Sequence, residues 1–76
     1  MDKADAKKLI ASLTPRHRDV LELMCIGLNA RRIAEDLGIG EQTVANHKNR
    51  IFKRLGVHSS TAAVAVAFAA RSGLRQ

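Results

Sequence analysis

The stretch Gly38-Ile39-Gly40-Glu41-Gln42-Thr43-Val44-Ala45-Asn46-His47-Lys48-Asn49-Arg50-Ile51-Phe52-Lys53-Arg54-Leu55-Gly56-Val57 decides how this chain folds. Glycines bound it at both ends, which predicts a helix over about 41–55 with Gly56 as its stop. By helical rotation Val44, Ile51 and Leu55 fall on one side, with His47 and Phe52 flanking them. Gln42, Asn46, Asn49 and Lys53 fall on the opposite side. One face is apolar, and the other carries amides and cations.

Just before it, Asn29 can cap a short helix over about 30–37, with Ile33, Ala34 and Leu37 as its buried stripe and Gly38 as its end. Only Gly38-Ile39-Gly40 separates the two helices. Two helices joined by so tight a turn, the second one basic, have the sequence form of a helix-turn-helix. That form implies sequence-specific binding to double-stranded DNA.

Outward from this pair, Thr14-Pro15 opens a helix over about 15–26, threonine as cap and proline at the first helical position. Val20, Leu21 and Met24 share its inner face, and Gly27 stops it. Ser59 or Ser60 caps a last helix over about 60–72, closed by Gly73. Thr61 to Ala70 is apolar nearly all round, so this helix is expected to bury one face on its own core and another on a partner. Residues 1–12 are charged and Ala-rich and read as a flexible or helical leader, with the folded domain over 13–76. The expected class is all-α, with four helices.

The 76 residues suffice for one small domain, and 46% hydrophobic residues suffice for a packed core. The net charge is +6. Residues 41–58 hold Lys48, Arg50, Lys53 and Arg54 against Glu41, a net of +3, whereas residues 15–40 sum to zero. Half of the excess therefore sits on or beside one helix, as suits a polyanion; the bland alternative is a solubilising face.

Cys25, the single cysteine, excludes an internal disulfide and reads as a small buried hydrophobe. No run is long enough for a transmembrane helix, and Met1 to Leu13 lacks a secretory signal, so the expectation is a cytoplasmic protein. No histidine, cysteine or carboxylate pair has metal-ligand spacing on one face. Asp19 and Glu22 share a helix face without implying a cleft. With no nucleophile–base pattern and no glycine-rich phosphate loop, neither an enzyme nor a cofactor is expected. His17 and His58 are expected in solvent.

Taken together, Leu13-Thr14-Pro15-Arg16, Val20-Leu21, Gly27-Leu28, Ile33-Ala34, Leu37-Gly38-Ile39, Thr43-Val44, His47, Ile51 and Leu55-Gly56-Val57 resemble, in order and spacing over about 13–66, the LuxR-type helix-turn-helix domain of bacterial transcription regulators, also called the GerE or NarL type. The family usually carries glutamate where His17 and Arg32 stand, and serine where Gly40 stands. Two capping boxes are thereby absent. Glycine caps nearly as well as serine, at a cost of a few tenths of a kcal/mol, roughly. A cation at Arg32 opposes the helix dipole, which makes sense beside a phosphate; otherwise it simply points into water.

The resemblance implies that helix 41–55 lies in the major groove with Ala45, Asn46 and Asn49 towards the bases. Asparagine bonds adenine bidentately and alanine packs on a thymine methyl, which implies A·T pairs in the half-site. The phosphate candidates are Lys48, Arg50 and Lys53, with Arg31, Arg32, Thr43 and His47. Lys48 lies nearer the core side and could merely snorkel outward; His47 could instead tie its helix to its neighbours. Two copies reading half-sites one DNA turn apart would enlarge the contact, and the last helix is the dimer surface implied, through Val64, Ala65, Phe68 and Ala69. The alternative is a monomer with an ordinary alanine-rich core helix.

Two rival readings belong to other partners. A sigma-factor region-4-like domain would bind promoter DNA and RNA polymerase, against which the Leu55-Gly56-Val57 stop and the apolar last helix argue. A protein-interaction module would dock a regulatory partner through its last helix. A membrane-surface helix is disfavoured because no cationic face flanks the apolar one.

Overall fold

The computed structural model describes residues 2–71. Its element order is α1 Lys3–Ala11, α2 Pro15–Cys25, α3 Ala30–Leu37, α4 Glu41–Leu55 and α5 Ser60–Arg71. The fold is all-α, as the periodicity predicts, with the leader supplying a fifth helix. Four expected helices coincide with α2 to α5 to within a residue. The expected Gly73 stop lies outside the described residues.

Local chemistry sets these boundaries. The Thr14 hydroxyl accepts from the His17 N–H at 3.1 Å, Asn29 Oδ1 from Arg32 N–H at 2.9 Å, and Ser59 Oγ from Ala62 N–H at 3.1 Å. Gly40 makes no side-chain cap, so α4 begins without one. Helix ends follow one pattern three times over. Leu28, Ile39 and Val57 donate their N–H groups to Leu23, Ala34 and Phe52, while the preceding glycine closes a shorter loop. This is the Schellman closure: the glycine takes a left-handed conformation, and the residue after it turns inward. At Gly38, φ is 68°, which an L side chain adopts only with strain. Leu28, Ile39 and Val57 all pack against the core.

Every helix feeds one core. Val20, Ile33, Val44 and Ile51 are its largest fully buried side chains. Leu13, Leu21, Met24, Leu55 and Val66 surround them, joined by Ala6, Ala34, Ala63 and Ala67. Ala6 is fully buried, and α1 lies along α5 and touches α4. The leader thus covers part of the alanine-rich surface of α5, with Ile10 beside Ala67 and Ala70. Small residues on both helices allow the close approach. Arg71 Nη2 donates to Glu22 Oε2 at 2.6 Å, tying α5 to α2.

Candidate nucleic-acid interface

The short turn at Gly38–Gly40 and the shared core of Ile33, Ala34, Val44 and Ile51 fix α4 against α3. With Val44, Ile51 and Leu55 buried, the opposite side of α4 must face solvent. Gln42, Asn46, Asn49 and Lys53 are all exposed there, as the rotation predicts. Gln42 Nε2 donates to Asn46 Oδ1 at 3.2 Å, so Gln42 orients the Asn46 amide although it was absent from the expected contact set. The spacing of four that places them on one face is the signal that could have included it.

Arg50 and Lys53 stand beside Asn46 and Asn49 around an open groove of about 450 Å³. Thr43 is exposed in the first turn of α4, and Ala45 is half-buried on one flank of the ridge. Lys48 is set apart. It is half-buried and lines a groove with Met24, Leu28, Ser60 and Val64, away from the amides. Arg31 and Arg32 are exposed on α3, where Arg31 Nε lies 3.7 Å from Glu35 and Arg32 Nε 3.1 Å from Asp36. Each arginine thus has a carboxylate partner within its own helix. Exposed pairs of this kind contribute about 0–1 kcal/mol, so either arginine can exchange its carboxylate for another anion at little cost.

Electrostatics concentrate the positive field on α4. The carboxylates of α2 and α3 are each matched by an arginine: Asp19 by Arg16, Glu22 by Arg71, Glu35 by Arg31, Asp36 by Arg32. Among the described residues, Arg50, Lys53 and Arg54 form no ion pair, so their charge is uncompensated.

His17 departs from its expected exposure. It is half-buried, with its ring meeting that of His47 edge-on, centroids 5.1 Å apart at 64°. His17, Val20, Leu21 and Met24 share the stripe that α2 turns inward, and its first turn crosses α4 at His47. That spacing was legible in the sequence. Burial lowers the His17 pKa below 6.5, helped by the charges of His47, Arg50 and Arg54. His47 does tie α4 to its neighbour, as one of its two readings had it. His58 is exposed as expected. Cys25 is half-buried against the core, and burial raises its thiol pKa.

Residues 11–67 match the family described as bacterial regulatory proteins, luxR family. This chain belongs to the LuxR family. Among curated relatives of this LuxR-family domain is the transcriptional regulatory protein DegU of Brevibacillus brevis, 39% identical over 62 residues, covering 82% of this chain and 26% of DegU. The nitrate/nitrite response regulator protein NarL of Escherichia coli is 36% identical over 58 residues, 76% of this chain and 27% of NarL. The transcriptional regulatory protein MctR of Rhizobium johnstonii is 44% identical over 45 residues, 59% of this chain and 21% of MctR. The LuxR-family chain thus spans about a quarter of the length of these relatives. All three are named as regulators, two of them transcriptional and one of the nitrate/nitrite response.

Proposed function

We propose that this LuxR-family domain binds double-stranded DNA sequence-specifically, with α4 in the major groove. One observation carries the reading: an exposed ridge of amides, Gln42, Asn46 and Asn49, stands beside cations that no carboxylate among the described residues neutralises. Ala45, Asn46 and Asn49 face base edges, and the asparagines select adenine. Arg50 and Lys53 hold phosphates on the flanks of the ridge, joined by Thr43 and His47 and by Arg31 and Arg32 from α3. Lys48, turned towards α2 and α5, reaches a phosphate only by extending past them. A second copy docks through α5, where Ala65 and Phe68 are exposed and Val64 and Ala69 half-buried, so that two α4 helices read adjacent half-sites.

Selection of bound sequences from random duplexes tests this reading through half-site spacing and composition. A·T pairs opposite Asn46 and Asn49 are expected; a site holding only G·C there would reject their assignment. On the selected site, Asn49→Ala relaxes sequence choice, at about 1–3 kcal/mol of lost discrimination. Lys53→Ala weakens all sequences alike and makes the log–log salt dependence shallower by about 0.9. An unchanged slope would remove Lys53 from the phosphate contacts.

A further inference from the structure

Beside the amide ridge lies a second concavity, an open groove of about 500 Å³ between the turn before α2, the first turn of α2 and the flank of α4. Its polar walls are Ser12, Thr14, His17, Arg50, Lys53 and Arg54, and among the described residues no carboxylate lines it. The Ser12 hydroxyl is engaged with the Leu9 carbonyl at 2.6 Å. Thr14 Oγ1 accepts from the His17 N–H, which leaves its own proton free to donate. Arg50 and Lys53 also line the groove at Asn46 and Asn49, so the two concavities are continuous. A cationic hollow with no internal counterion, joined to a ridge that reads bases, is shaped for an anion on the strand that borders that ridge.

We infer that this groove holds one backbone phosphate of the bound duplex, gripped by Arg50, Lys53 and Arg54, and that His17 is the member of the site whose protonation sets the strength of the grip. The inference rests on the DNA-binding reading above and adds to it a phosphate position and a pH dependence. His17 faces His47, Arg50 and Arg54 from α4, with Lys53 on the same wall. On its own helix, Arg16 is occupied with Asp19 at 3.9 Å, and the preceding turn offers hydroxyls. Burial and these cations make the free domain hold the His17 proton weakly. A phosphate supplies the missing negative charge, raises the proton affinity, and so draws a proton on as DNA binds. Affinity therefore tightens as pH falls, by up to about tenfold per pH unit for one coupled proton.

DNA affinity is measured at fixed ionic strength from about pH 7.5 to about pH 5.5 for the wild type, His17→Gln and His17→Arg, with folding followed by circular dichroism. The wild type is expected to tighten on acidification, His17→Gln to tighten less, and His17→Arg to bind tightly throughout. A methylphosphonate scan, neutralising one phosphate at a time, is expected to find a single position per half-site whose neutralisation abolishes the difference between wild type and His17→Gln. One pH profile shared by all three proteins overturns the inference and leaves the DNA-binding reading standing. So does a difference that no single methylphosphonate removes. If inorganic phosphate alone raises the His17 pKa by NMR while the scan finds no position, the groove takes a free anion and the assignment to the duplex is overturned. Absence of DNA binding at any pH in low salt overturns both.

Discussion

At the scale of single residues, His17 links the interior to the surface. Its folded pKa lies below 6.5, so around and below that pH the unfolded chain binds more protons than the folded one. Stability therefore rises with pH through this window and is lost as the solution is acidified. The melting temperature of the free domain is expected to fall on going from about pH 7.5 to about pH 5, and to fall less in His17→Gln. Equal losses in the two proteins would show that His17 does not couple folding to protons. The sign is opposite to that expected for DNA affinity, because the phosphate supplies the countercharge that the free fold lacks. Apolar residues act more simply. Ile33 and Ile51 are completely buried between helices, and replacing either by alanine is expected to cost about 2–5 kcal/mol in denaturant unfolding. Against a total of roughly 4–11 kcal/mol for a chain of this size, that loss is severe.

At the scale of the helices, caps and stops fix where each rod begins and how it meets the next. Gly38 is the most consequential stop, because it sets the angle between α3 and α4. No atom lies within 4 Å of a side chain built there, so crowding does not restrict it; the left-handed backbone does. Gly38→Ala is thus expected to destabilise by about 1–2 kcal/mol, and Gly38→Asn by less, measured by chemical denaturation. Equal costs would point away from backbone strain. The absence of a side-chain cap at Gly40 leaves α4 to rely on Gly56 and on its packing. In α5 the division of faces is instructive. Ala63, Val66 and Ala67 turn inward, whereas Phe68 remains 51% exposed. An aromatic so placed, in line with Ala65 and Val64, stands at the centre of the contact between copies proposed above.

For the whole molecule, α1 changes how the apolarity of α5 is understood. Part of it closes the fold against α1, and only the remaining strip is open to a second copy. Phe68→Glu is expected to leave the folded domain intact, to abolish self-association in sedimentation, and to weaken binding to paired half-sites far more than to a single one. Equal weakening on both DNAs would sink the dimer assignment. The charge distribution works on the same scale. Arginines neutralise the carboxylates of α2 and α3 locally, so α4 carries the largest share of the excess positive charge, where it would steer the proposed encounter with DNA.

The sequence by itself determined α2 to α5, the Thr14 and Asn29 caps, the turn at Gly38–Gly40, and the split of α4 into a buried and an exposed face. All of these depend on residues three or four positions apart, whose geometry an isolated helix already imposes. It also carried the family, through motifs spread over most of the chain. Tertiary structure alone decided that α1 covers α5, that Arg50 and Arg54 converge with His17, and that Lys48 shares a groove with α2 and α5. These relations join segments distant along the chain. Packing sets them, because an interhelical approach depends on the side-chain volumes of both partners, which no single periodic pattern records.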